Sequence, residues 1–179
     1  MEPTSTTTAA TLIDALLTLP HARYGPEYLG AVVYPLMARY VPADADVLEV
    51  GARPEDRGVL SRPIIPHRRF RTVDRDPRRG ELVVDVTRDT IQADVILSTC
   101  VLHHTPWEEV PRLLSHLWAP LLMFTGPNVA VVPALFGDHR WHLDGVALTS
   151  WLLALGYSVE TRRIGLTAPF SELFVRAWR

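Results

Sequence analysis

Apolar residues follow two different rhythms along this chain. Up to residue 40 they recur at helical spacing. In residues 11–19, Ile13, Leu16 and Leu17 share one side, and Pro20 ends the pattern. A second helix is predicted over residues 26–40. Leu29, Val32, Val33, Leu36, Met37 and Tyr40 form its apolar stripe, and Pro26 suits its first turn. Pro35, without an N–H and with a bulky ring, predicts a kink. The Thr-rich first eight residues are expected to fray.

From residue 45 the apolar residues gather instead into short Val- and Ile-rich runs between polar turns, the signature of buried parallel strands. The runs cover residues 46–50, 70–73, 82–84, 95–97, 121–125, 158–164 and 172–177. Helical patterns lie between some of them. Residues 107–117 carry Val110, Leu113, Leu114 and Leu117; residues 143–155 carry Val146, Leu148, Trp151, Leu152 and Leu155, with Gly156 at a C-cap position. This alternation predicts an α/β fold with a mostly parallel sheet. The last two strands are close in sequence and should form an antiparallel hairpin. The connections over residues 74–81 and 85–92 are too short for crossover helices. One face of the sheet there is expected to be thinly clad, and either the N-terminal helices or a second copy of the chain, in a homodimer, covers it.

The 179 residues suit a single domain, divided here into an N-terminal helical segment over residues 1–42 and an α/β core over residues 43–179. With 47 % hydrophobic and 21 % charged residues, the composition is that of a globular protein able to bury a core unaided. Cys100 is the sole cysteine, which excludes a disulfide framework and any zinc site built on paired cysteines. It is expected to be a small buried apolar residue. A net charge of −2 gives no electrostatic reason to expect nucleic acid or an anionic membrane as a partner. No apolar run reaches bilayer length, and the start lacks a basic n-region, so a cytoplasmic location is expected. All 18 basic residues are arginine, which excludes lysine chemistry such as a Schiff base or a P-loop lysine. Nine of them lie between Arg53 and Arg79 against Glu55, Asp56, Asp74 and Asp76, and read as a solvated surface with local ion pairs.

Ligands of open α/β sheets bind outside the carboxyl ends of the strands. The first run leads through Glu49 and Val50 to Gly51, Ala52, Arg53 and Pro54. The second ends at Asp74 and Arg75, the third at Asp85 and Val86, and the fourth at Ser98, Thr99 and Cys100, with His103 and His104 close behind. The absence of Gly-x-Gly-x-x-Gly after the first strand argues against a nicotinamide enzyme, which needs that loop for the pyrophosphate.

In these features the chain resembles the class I S-adenosylmethionine-dependent methyltransferases, in particular the small type 11-like branch. The resemblance spans roughly residues 45–179. Its carriers are the phrase running from Ser98-Thr99 through Leu102 to His104, the Gly126-Pro127-Asn128 step after the fifth strand, and the stretch with His139, Trp141 and His142 before a helix ending Leu155-Gly156-Tyr157. The glycine loop departs from the family's Gly-x-Gly-x-Gly and reads Gly51-Ala52-Arg53-Pro54-Glu55, a shortened form that a subset of the family carries. The resemblance implies a Rossmann-like seven-stranded sheet of order 3-2-1-4-5-7-6, with helices reduced after strands 2 and 3. It implies S-adenosylmethionine as the cofactor. Asp74, with Arg75 beside it, would accept both ribose hydroxyls, and charged acceptors make the stronger bonds. Asp85 would accept from the adenine amino group, with Val86 donating a backbone N–H. Gly51 and Ala52 would let the backbone approach the cofactor closely, Glu49 would stand at the family's first acidic position, and Ser98 and Thr99 would floor the methionine portion. Methyl transfer to O or N of a small molecule, in specialised (natural-product) metabolism, follows as the expected activity. His104 is the first choice of base and His103 the second, the two pointing to different sides. Asn128, His139 and His142 would reach the acceptor, and Trp107, Phe136 and Trp141 would wall it. No metal is expected. The alternative is a methyltransferase fold without methyl transfer, either an S-adenosylmethionine-dependent cyclase or a non-catalytic partner subunit.

Overall fold

Residues 28–51, 58–127, 144–164 and 172–179 are described by the computed structural model. The sheet grows outward from strand β1 (Asp46–Val50), whose last four side chains are buried. It pairs in parallel with β2 (Arg69–Asp74) on one side and with β4 (Val95–Thr99) on the other. Beyond β2 lies the two-residue β3 (Leu82–Val83). Beyond β4 lie β5 (Leu121–Pro127), then β7 (Glu172–Trp178) and β6 (Ser158–Ile164) at the edge. Strand β7 runs antiparallel to both its neighbours, so the order is 3-2-1-4-5-7-6 with a C-terminal hairpin, as the resemblance implies. The exposed edge of β6 carries Glu160, Arg162 and Arg163, and charges on an edge discourage further strand pairing.

Strand alternation sends side chains to two cores. Val47, Val95, Leu97, Met123 and Phe174 face one side, under a helical segment that opens with the π-helical turn Leu29–Val33 and continues as α1 (Tyr34–Ala38). Leu48, Val50, Ile96, Leu122, Phe124 and Val175 face the other, under α2 (Val110–Ser115) and α3 (Gly145–Ala154). The distortion predicted at Pro35 falls before it. The Tyr34 N–H reaches back to the Leu29 carbonyl, and this wider turn meets a proline that has no N–H and whose ring crowds the preceding turn. The expected start at Pro26 and the helix over residues 11–19 lie outside the described residues.

Other boundaries shift for local reasons. The pattern over residues 107–117 is a 3-10 turn (Trp107–Glu109) followed by α2, and Leu117 leaves the helix to pair, with Trp118, alongside Ile91–Gln92. Helix α3 starts where the Asp144 carboxylate accepts from the Val146 and Ala147 amides at 2.9 and 3.3 Å. It stops in a Schellman turn: Gly156, at φ +86°, sends its N–H to Leu153, and Tyr157 sends its own to Leu152. Val146, assigned to the apolar stripe, is 77 % exposed among the described residues, and the helix buries Leu148 and Leu152 instead. No helix links β2 to β3 or β3 to β4, and Val83 stands 60 % exposed on the thinly clad end of the sheet. No described helix is long and apolar enough to cross a membrane.

Candidate functional site

Strand order reverses between β1 and β4, the place where open α/β sheets take their ligands. Four strand ends converge around it. At the end of β1, Gly51 adopts φ +75°, and its N–H donates to the Val73 carbonyl at 2.8 Å. A Cβ at Gly51 would collide with both methyls of Val101, so this glycine is required by the approach of β4's extension as well as by its own backbone angle.

At the end of β2, Asp74 is half-buried, and its Oδ1 accepts the Asp76 N–H at 2.8 Å. That bond fixes an Asx turn, the structural use of an aspartate at a strand end. Asp76 in turn takes the Arg78 guanidinium, at 2.7 Å from Nη2, with Arg79 further off; hydrogen bonding from Arg78 holds the Asp76 carboxyl well below the usual range. Gly80 closes the loop, because a Cβ there would press on the Asp74 amide and come within 2.7 Å of the Leu82 carbonyl. Arg62 with Glu81 and Arg71 with Asp46 form further ion pairs, so much of the arginine-rich stretch is paired at the surface as expected.

Past β3, the Val84 N–H donates to the Asp74 carbonyl at 3.1 Å and brings Asp85 alongside. Asp85 Oδ1 accepts from the Thr87 amide at 3.0 Å and its hydroxyl at 2.7 Å, and Arg88 stands 3.7 Å from Oδ2. These contacts lower the Asp85 pKa below the ordinary carboxylate value; the Thr87 hydrogen bond is the largest cause, and the charges of Arg88 and Arg75 add to it. Val86 packs against the core on the α2 side.

At the end of β4, Ser98 and Thr99 are buried, and neither hydroxyl has a partner among the described residues. Cys100 differs from expectation. It is half-exposed at φ +59°, an uncommon backbone region for a residue with a Cβ, held there by its N–H bond to the Thr125 carbonyl at 2.8 Å. The turn Leu102–His104 then sets His103 inside, 2 % exposed, and His104 outside. Their ring centroids are 4.1 Å apart, so the buried and the exposed histidine lie against each other. Trp107 packs on Trp151 of α3 with centroids 4.6 Å apart.

Two further carboxylates lie on the face covered by the N-terminal segment. Glu49 is 3 % exposed and accepts from the Tyr34 hydroxyl at 3.0 Å and the Ser61 hydroxyl at 2.6 Å. Glu172, at the start of β7, is fully buried; the Tyr28 hydroxyl donates to it, and Cys100 Sγ lies 3.9 Å from its Oε1. Burial first, and then the charge and hydrogen bond of Glu172, push the Tyr28 phenol far above its ordinary value. Sequence reasoning missed Tyr28 and Glu172. The one signal was a glutamate opening an otherwise apolar strand run. Ala52, Asn128, Phe136, His139, Trp141 and His142 lie outside the described residues.

No protein-family model matches the chain, and no curated protein matches it in sequence. Solved structures do match. Magnesium protoporphyrin IX methyltransferase from Synechocystis PCC 6803, with bound SAH, superposes with a TM-score of 0.64 at 14 % identity, over 97 % of this chain and 95 % of that one. DhpI, in a SAM–HEP complex, gives 0.62 at 14 % identity, over 99 % and 100 %. The small RNA methyltransferase HEN1 gives 0.63 at 15 % identity, over 90 % of this chain and 26 % of HEN1. The fold is that of the class I S-adenosylmethionine-dependent methyltransferases.

Proposed function

We propose that this protein binds S-adenosylmethionine and transfers its methyl group to O or N of a small molecule in specialised metabolism. The observation that carries the reading is the pair of half-buried aspartates, Asp74 and Asp85, at successive strand ends, together with the buried hydroxyls of Ser98 and Thr99 at the end of β4, which have no partner among the described residues. Structures of the same fold that hold SAM or SAH support the cofactor.

The residues present fit such a molecule. Asp74 keeps acceptor capacity beyond its bond to Asp76 and would take the ribose hydroxyls, with Arg75 nearby. Asp85, whose contacts lower its pKa, would take the adenine amino group, and the Val86 N–H would face the ring. Ser98 and Thr99 would hold the polar end of the methionine portion. When bound, the cofactor supplies an electrophilic methyl carbon on a sulfonium. The protein's task is then alignment of the acceptor and removal of its proton. His104, exposed beside the end of β4, can take that proton, and buried His103 supports its ring. The Arg78–Asp76 and Arg62–Glu81 pairs consume cations that a nucleic acid would need, which favours a small acceptor.

Calorimetry with SAM and SAH tests the cofactor; SAH release with a panel of small acceptors tests the transfer. Binding without release would point to the cyclase, and no binding to the partner-subunit role.

A further inference from the structure

The sheet ends at β6, and the outer side of that strand carries open hydrogen-bonding groups. The Arg179 N–H donates to the Pro120 carbonyl at 3.1 Å, in continuation of the β5–β7 register. Bonding direction alternates along an antiparallel strand, so odd-numbered residues of β7 bond to β5 and even-numbered ones to β6. In β6, Ser158, Glu160, Arg162 and Ile164 therefore bond to β7, while Val159, Thr161 and Arg163 turn their N–H and C=O groups outward. Those outward groups have no partner among the described residues. Tyr157, next in that series, sends its N–H to the Leu152 carbonyl instead. No proline and no break in register interrupts β6.

We propose that β6 pairs with β6 of a second copy of this chain, antiparallel and centred on Thr161, so that the two sheets run on as one. The proposal goes beyond the methyltransferase reading and does not depend on it. Charge selects the centre. About Thr161 the 7 residues of each strand match end to end, and Glu160 stands opposite the partner's Arg162, as Arg162 does opposite the partner's Glu160. These are pairs without mutual backbone bonds, the kind whose side chains come closer. Arg162 is exposed and Glu160 half-buried, its Oε2 taking Arg176 at 2.8 Å. Moving the centre to Glu160 would set it against the partner's Glu160, and moving it to Arg162 would set that residue against the partner's Arg162. Like charges directly opposite are destabilising. The charges that discourage pairing with other strands thus complement themselves in one register. Helix α3 gives a second reason. It packs on β6, carries no charged residue, and leaves Val146 77 % and Leu153 55 % exposed. A helix apolar on every side normally has neighbours all round. The two-fold axis keeps both copies of α3 on one face of the joined sheet, on either side of the join.

Sedimentation equilibrium of the full chain measures the association, and the parent should give twice the mass of one chain. Glu160→Arg and Arg162→Glu each place like charges opposite one another, twice across the axis. Each should weaken association by about tenfold or more. An equimolar mixture of the two variants restores Arg opposite Glu at both places and should dimerise as the parent does. Misfolding cannot produce that rescue. Thr161→Pro removes an outward N–H and no bond to β7, so it should melt as the parent does and stay monomeric. A monomeric parent, its edge open or taken by a different protein, overturns the proposal. So does a dimer that survives Thr161→Pro in a folded variant, or a mixture of folded single variants that associates no better than either alone. Calorimetry of SAH judges the cofactor reading separately, and its failure leaves the association result standing.

Discussion

Gly51 and Val101 meet across the boundary between β1 and β4, where a side chain on the glycine would lie within 2.8 Å of Val101 Cγ1. Two restraints act on Gly51 at once, the left-handed backbone angle and the packed valine. Gly51→Ala should therefore destabilise the fold by about 1–2 kcal/mol from the backbone and by about 1–3 kcal/mol more from overpacking. Val101→Ala should return the second part and leave the first. A double-mutant cycle by urea unfolding measures the coupling; strict additivity would mean that the contact carries no energy.

Topology was legible because each strand run is short, apolar and bounded by polar turns, and because the gap between β2 and β3 leaves no room for a helix. The pairing of Ile91–Gln92 with Leu117–Trp118 was not, since two residues carry no period. Asp74 and Asp85 could be named from their positions at strand ends. Their local bonds to Asp76 and Thr87 could not be told apart from ligand roles without coordinates. Tyr28 and Glu172 come from opposite ends of the chain, and only the antiparallel insertion of β7 beside β5 brings them together.

Asp74 separates its turn-forming and ligand roles by substitution. Asp74→Asn keeps an oxygen for the Asp76 N–H but loses the charge, so it should fold normally and bind SAH more weakly. Asp74→Ala loses both and should weaken SAH binding by about 2 kcal/mol, from charge-assisted bonds. Calorimetry alongside a melting curve checks this; unchanged affinity in folded Asp74→Ala removes the residue from the site.

Glu49 rests on two buried donors, Tyr34 and Ser61. Removing either hydroxyl strips a hydrogen bond from a buried carboxylate, which costs about 1.5–3 kcal/mol. Tyr34→Phe and Ser61→Ala should each lower the urea midpoint with an unchanged slope. A shift within experimental error for both would show that the N-terminal segment is not fastened through Glu49.

Asp85 gives a pH signature. Its folded pKa lies below the unfolded one, so its contribution to stability is present above about pH 3.9, the unfolded value, and is lost as pH falls through the folded value. Thr87→Val removes the hydroxyl bond, the largest cause. The stability difference between parent and variant should be present at neutral pH and shrink below pH 4 or so. A difference that is flat with pH would assign the effect of Thr87 to packing.

The two adjoining histidines should part in their effects because one is buried and the other exposed. His104→Ala removes little packing, so its thermal unfolding should match the parent. If His104 takes the acceptor's proton, turnover should fall by about 10²–10⁴-fold with SAH affinity unchanged. His103→Ala opens space at a buried position of the turn and removes the ring that His104 rests on, 4.1 Å away. It should lower stability, and lower turnover less than His104→Ala does. His103→Phe restores the ring's bulk without its nitrogens, so recovery of turnover in that variant would mean that His103 acts through packing alone. If instead His103→Phe is as inactive as His103→Ala while His104→Ala turns over normally, the base is the buried member of the pair, reaching the acceptor through the end of β4.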